Sequence, residues 1–250
     1  MSTPGDVDKL ECQLRKSGLW TGTDTRMRIG IVKLAGTVSE GREFLNTYRE
    51  ALHELMESAH FYCSADFHDK RTLILLITEA RERLERDSGL IRSLCALAEE
   101  SKGEFRHFLA LGRMVGEPQQ LYASYESACQ SASSLSYKGF SSCAFSEEVA
   151  QDRHFELDRE REEAFVNALS RRDKEEAGRI LKDIYDDLTD QKAALNSSVK
   201  NMYFLLYNHV LRLEKELLST GKEQKENNRF WDNAQTLQEL HTFLAARAME

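Results

Sequence analysis

With only two prolines and 13 glycines in 250 residues, the chain has little of the chemistry that interrupts regular structure. Low-complexity linkers are thereby excluded and a high helix content is expected. Long apolar runs are missing too: none approaches the ~20 residues that a membrane-spanning helix needs. The opening residues, MSTPGDVDKL, lack the basic and apolar regions of a secretory signal, so a cytoplasmic location is expected. Cysteine is scarce and odd in number. Cys12, Cys63, Cys95, Cys129 and Cys143 are scattered without a Cys-x-x-Cys pair, which excludes a disulfide framework and predicts reduced, buried thiols. An excess of basic residues is absent as well. The formal net charge of −8 argues against a broad grip on DNA or RNA by these residues, because phosphate contacts need clustered Lys and Arg. Neither glycine-rich phosphate loop, GxxxxGK[ST] or GxGxxG, occurs.

What is present is the composition of a soluble globular protein, 41% hydrophobic and 30% charged, long enough for one large domain or two small ones. Asp6–Lys16 has apolar residues at helical spacing and Gly18 to stop it, and Trp20 is expected to anchor this lead. Met27–Ala35 predicts a mostly buried strand. Ser39 is a plausible N-cap for a helix carrying Phe44, Tyr48, Leu52, Leu55 and Met56. His60–Cys63 and Thr72–Thr78 read as a hairpin around a polar turn, Ser64–Lys70, with the all-apolar second arm at the centre of a sheet. A helix with Leu90, Ile91, Leu94, Leu97 and Ala98 follows, closed by Gly103. Next come a strand over Phe105–Gly112, and a helix opened by Pro118 that holds Leu121, Tyr125, Ala128, Cys129 and Ala132. Gly139 then releases the chain into a short strand over Phe140–Phe145.

The order from residue 27 to about 147 is β-α-β-β-α-β-α-β. Such an order is satisfied by an α/β sandwich with a mixed, largely antiparallel sheet. Beyond Asp152 the pattern becomes wholly helical, over Glu156–Ser170, Asp173–Gln191, Ala194–Ser219 and Thr236–Ala248. Asp173 has the character of an N-cap, with Glu175 and Glu176 in the following turn. The fold class is therefore α+β, in three segments: a helical lead at 1–26, the sandwich at 27–150 and an all-α domain at 151–250.

Three constellations could carry chemistry. Ser197 and Lys200 have the Ser-x-x-Lys spacing, but the Ser-Asp-Asn and Lys-Thr-Gly partners of such hydrolases are missing, so a polar helix face is the better reading. His60, Cys63 and His68 lack paired spacing and a fourth ligand for zinc. Glu160, Glu162, Glu163, Asp186 and Asp187 are interleaved with Arg159, Arg161, Arg171, Arg172 and Lys182, which reads as a mixed-charge solvent face. No catalytic, cofactor-binding or metal-binding residue is assigned, and no cofactor is expected.

Several of these stretches look like one family. Phe105–Arg113 resembles the late strand of a GGDEF domain, the diguanylate-cyclase-like fold. Leu121-Tyr122-Ala123-Ser124-Tyr125-Glu126-Ser127-Ala128 is similar to the helix that follows it in the sensory portions of AraC-type bacterial transcription regulators. Phe165–Leu169, Arg172-Asp173, Glu176-Ala177 and Leu205-Leu206 resemble the helical segment linking such domains to the DNA reader. Thr236–Leu240 with Phe243-Leu244 looks like the stretch just before the helix-turn-helix. The resemblance implies contact with DNA only through a domain beyond residue 250, and an upstream sensor or small ligand as the source of the signal.

An active cyclase of this family binds metal through a carboxylate at the end of its first strand, and has glycines and an acid at the hairpin turn. Here the first stretch is Lys33-Leu34-Ala35-Gly36 and the turn offers Ser64, Ala65 and Asp66. The expected function is thus a non-catalytic sensing and relay module of an AraC-type regulator, with no cyclase activity. Two alternatives stay open: a residual nucleotide-binding or cyclase-type enzyme using Asp66, Asp69 and Lys70, and a dimerisation or interaction scaffold. The stripe Val199, Met202, Tyr203, Leu206, Val210 and Leu213 is the candidate relay helix or homodimer seam. Internal packing within one subunit explains the same stripe equally well.

Overall fold

The computed structural model describes residues 9, 12–16, 25–35, 46, 48–54, 62–69, 71–80, 89–102, 106–217, 230–231 and 233–249. The expected features at Gly18, Trp20, Ser39, Phe44, Leu55, Met56, His60 and Gly103 lie outside them. The chain divides into two compact units, Met1–Ala132 with Phe140–Val149, and Ser133–Gly139 with Ala150–Glu250. No helix among the described residues is long and apolar enough to cross a membrane.

The first unit is built on a five-stranded sheet in the order β2-β3-β1-β4-β5. Its strands are β1 (Thr25–Leu34), β2 (Tyr62–Asp69), β3 (Thr72–Ala80), β4 (His107–Leu111) and β5 (Ser142–Phe145). β1 pairs antiparallel with β3 and with β4, β2 pairs antiparallel with β3, and β5 runs parallel to β4. The mixed, largely antiparallel sheet of the α+β class is present. Alternation along the strands sends Val32, Leu34, Leu73, Leu75, Ile77, Leu109 and Leu111 into one core. Helical residues at 48–54 contribute Tyr48 and Leu52 to it, and helix α1 (Gly89–Glu99) contributes Ile91, Leu94 and Ala98. Leu14 of the helical lead packs with Met27 and Val115 in a separate small cluster.

Two expectations need correction here. The polar stretch Ser64–Lys70 is not the hairpin turn: β2 runs through it to Asp69, leaving only Lys70 and Arg71 between the strands. β2 is an edge strand: β3 pairs one side of its backbone, and Asp66 and His68 reach solvent. A bulge between Phe67 and Asp69 absorbs His68. The second correction concerns α2 (Leu121–Ala132), which follows a 3-10 turn at Pro118–Gln120. Its buried face is Ser124, Ser127, Ala128 and Ser131, whereas Cys129 is exposed and Leu121 and Tyr125 are half-buried. Cys12 is exposed too, so the described thiols, none of them in a disulfide, are not all buried.

The serines are buried for a reason. β1 is ten residues long and β4 only five, so β1 outruns its partner. Beyond the end of β4, the Ile29 amide donates to Ser124 Oγ at 2.9 Å, Gly112 N–H donates to Ile29 O, and Met27 and Val115 exchange backbone hydrogen bonds at 2.8 Å. Ser124 in turn donates to Arg113 O at 2.6 Å, and Ser127 Oγ accepts from Arg113 N at 2.7 Å. Gly112 is the close-approach point: a Cβ there would lie 2.1 Å from the Ser124 carbonyl oxygen.

The second unit is helical: the short α3 (Leu135–Lys138), then α4 (Arg159–Ser170), α5 (Lys174–Asp190), α6 (Ser197–Leu217) and α7 (Leu237–Met249). Side chains start each long helix. Asp158 accepts from Glu160 N, Asp173 from Glu176 N and Asn196 from Val199 N. Thr236 and Glu239 form a reciprocal capping box at α7. Both α4 and α5 close in the same way. Arg172 N–H reaches Leu169 O and Asp173 N–H reaches Ala168 O, while Lys192 and Ala193 repeat the pattern on Thr189 and Leu188. Arg172 and Lys192 hold the left-handed position at φ 58° and 52°, where glycine is the usual occupant. Asp173 therefore ends one helix and caps the next, fixing a tight α4–α5 hairpin.

Gly112→Ala is expected to cost about 2–3 kcal/mol, since the obstacle is backbone that cannot swing away, and urea unfolding measures it. Arg172→Gly should instead stabilise by roughly 0.5–1 kcal/mol in the same assay, because the left-handed strain is relieved at an exposed site.

Candidate functional site

The end of the sheet where β1 finishes, β2 turns into β3 and β4 begins gathers the first unit's polar side chains. Register puts Lys33 directly opposite Thr72 on one side and Phe108 on the other. Its ammonium donates to Thr72 Oγ1 at 2.9 Å. Across the turn, the Arg71 amide donates to Asp69 Oδ1 at 2.7 Å, an aspartate bonding two residues on in the manner of an Asx-turn. The Leu34 amide donates to Arg71 O at 3.0 Å, which ties the turn to the end of β1.

Asp69 is the electrostatic centre of this corner. Burial opposes its charge, but the Arg71 amide, the Thr72 hydroxyl, the Lys33 ammonium and His68 outweigh it and hold the carboxyl below the usual carboxylate range. Asp66, on β2 opposite Ile74, stands away from the turn. Chemically the corner is an internally satisfied arrangement: the carboxylate at the turn is committed to its own backbone and to a cation, and the end of β1 offers an ammonium. A divalent ion needs several oxygen ligands and would meet Lys33 instead. Among the described residues, no group of three or more His, Cys, Asp or Glu side chains could hold a metal ion.

On the other side of β1, His107 is 1% exposed, with its ring edge-on to Tyr48 at 4.8 Å. Its backbone is held by Ser101 Oγ (3.2 Å from His107 N) and by Ser141 N–H (2.8 Å to His107 O). Ser141 takes φ 60° and donates its hydroxyl to Ser101 O at 2.7 Å. Nothing in the order of residues signals this serine bracket; it follows from β5 lying parallel beside β4.

In the helical unit, Val199, Met202, Tyr203, Leu206 and Val210 lie in the interior, packed with Phe165, Ile180, Leu181, Ile184, Leu240 and Leu244 of the same chain. Leu213 is half-buried. The large apolar side chains that α6 does expose are Phe204 and Leu205, 43% and 39% accessible. Burial pushes the Tyr203 hydroxyl well above the ordinary tyrosine value, Tyr185 adds to the effect, and its oxygen has no partner among the described residues.

The remaining sequence candidates fall apart spatially or chemically. Lys200 donates its amine to Trp231 O at 3.1 Å while Ser197 is exposed, so they do not form a hydroxyl–amine pair. His68 is exposed; His60 and the Cys63 side chain lie outside the described residues. The charged stretch is a lattice of ion pairs: Arg159 with Glu163, Arg161 with Asp187, Lys182 with Asp186, and Arg179 with Glu176 and Asp183. A cavity of about 320 Å³ opens between α4 and α5, walled by Asp158, Glu160, Arg161, Arg179 and Asp183 over Ala164 and Ile180. One pair lies deeper, His209 Nε2 with Glu162 Oε1 at 2.8 Å, joining α6 to α4.

No protein-family model matches the chain, and no curated protein is found to resemble it. The geometry alone must carry the functional reading.

The Asp69 carboxyl should titrate below about 3.9, the value for a free aspartate, when followed by carbon-detected NMR. Its ionised form stabilises the turn above that pH, and the contribution disappears as pH falls through the lowered folded value. Lys33→Met is expected to move the titration upward, toward the ordinary value.

Proposed function

We propose that the chain is a non-catalytic signal-handling module of an AraC-type bacterial transcription regulator. The sheet unit, a degenerate GGDEF-like domain, would receive a small ligand or a conformational input in the cytoplasm. The helical unit passes the state on, and DNA is contacted only through a domain outside these residues. The single observation that supports this reading best is the corner at the end of β1. The sheet has the β-α-β-β-α-β arrangement implied by the resemblance, yet Lys33 stands where a carboxylate would hold metal, and the β2–β3 turn is Lys70-Arg71 where glycines would admit a nucleotide.

Moving the turn from Ser64–Lys70 to Lys70-Arg71 strengthens the reading. Of the two acids that a cyclase-type alternative could enlist, Asp66 sits along β2, away from the turn. Asp69, which is at the turn, accepts from the Arg71 amide. Two divalent ions bridging phosphate oxygens would lack paired carboxylates. A module of this kind acts through differential binding: its signal must prefer one of two arrangements of the chain.

Calorimetric titration with GTP and with cyclic di-GMP, each with magnesium, tests the proposal directly. The expected result is neither binding heat nor turnover. Release of pyrophosphate from GTP would overturn the non-catalytic reading in favour of a residual nucleotide enzyme, whereas saturable binding without turnover would make the nucleotide the ligand of a non-catalytic sensor.

A further inference from the structure

The terminal described helix, α7, docks on α5 through a largely apolar seam. Leu237, Leu240 and Leu244 are fully buried. Met249 lies so close to Gly178 that a Cβ there would be 2.5 Å from its methyl carbon. Lys174 hydrogen-bonds the Met249 carbonyl oxygen. Phe243 stacks on Phe230 at 4.1 Å and meets Trp231 edge-on at 5.6 Å. Into this seam α7 inserts His241, its ring against Tyr185 at 4.8 Å and 31°. Its Nδ1 is buried with no hydrogen-bond partner among the described residues.

That arrangement favours a neutral imidazole. Nδ1 is buried without a partner, so the doubly protonated ring would place a charged donor there with nothing to accept its proton. We propose that protonation of His241 loosens α7 from α5, making the docking of this helix sensitive to pH.

The surrounding groups bear on the sign. From α5, Lys182 opposes the imidazolium and Asp186 favours it, but these two are paired with each other. Tyr185 presents its ring, and behind it α6 carries Tyr203. α3 contributes Tyr137 and Lys138; on α7 itself Glu239 is committed to capping Gln235 and Thr236, and Arg247 lies in the last turn. Burial comes first among these effects and lowers the folded value below that of a free histidine. The unfolded or undocked state therefore binds the proton more readily. Docking is at full strength above about pH 6.5 and weakens as pH falls through the lowered folded value.

Hydrogen exchange resolved by mass spectrometry, corrected for the intrinsic pH dependence of exchange, tests this on the whole chain. Between about pH 7.5 and pH 5, protection of 237–249 should fall several-fold more than protection of 159–170. His241→Phe, which keeps the ring against Tyr185, should remove that difference. Trp231 emission in a Trp20→Phe background provides a second readout, because undocking takes Phe243 off the indole. His241→Gln serves if the phenylalanine variant does not fold, with the same flattening expected. An equal pH response of the two helices, or a response that survives both substitutions, would overturn the proposal.

Discussion

Everything in the first unit depends on satisfying both edges of β1. A central strand has donors and acceptors on each side, and leaving one of them buried and unmade costs about 1–3 kcal/mol. β3 matches β1 from Thr25 to Lys33, but β4 covers only Gly30–Leu34. The exposed remainder is closed by a turn of chain that brings Gly112 and Val115 alongside and then sends Ser124 of α2 into the gap. Once a helix must replace a strand, its facing residues need to be small and to carry hydroxyls. Serine on the buried face of α2 is the consequence of a strand that ends early.

This explains why α2 was legible as a helix and its orientation was not. Helical period can be read from Leu121, Tyr125, Ala128 and Cys129, but the face chosen is set by what lies opposite, and opposite lies backbone. Hydrophobic patterning assumes that apolar partners await. Where the partner is a strip of amide and carbonyl groups, Ser124, Ser127 and Ser131 outcompete the larger apolar residues. The same limitation shifted the hairpin. Ser64–Asp69 has the composition of a loop, and composition weighs side chains only. A neighbouring strand as apolar as Leu73–Ile77 offers a full row of backbone partners, and an edge position tolerates the polar side chains that result.

In the helical unit, local signals and tertiary outcome agree far more closely, since caps and stripes are properties of single helices. Asp173 reads as an N-cap and is one. What cannot be seen in a stripe is its addressee. Val199, Met202, Tyr203, Leu206 and Val210 are what a seam between two copies would look like, and equally what a helix needs when α4, α5 and α7 surround it. The apolar side chains left over, Phe204 and Leu205, sit one residue out of phase with that stripe. Period locates an apolar face; only the count of neighbouring helices decides what covers it.

The two corners that carry charge illustrate opposite uses of burial. At the end of β1, Lys33, Asp69, Thr72 and the Arg71 amide satisfy one another near solvent, so the arrangement is stable in place and has little left for a ligand. In the α5–α7 seam the balance is incomplete: His241 Nδ1 is buried without a partner, and so is the Tyr203 hydroxyl. Unsatisfied polarity inside a helix bundle lowers the free-energy gap between docked and undocked arrangements. A signal of a few kcal/mol can reverse the population of two states only when they already lie that close.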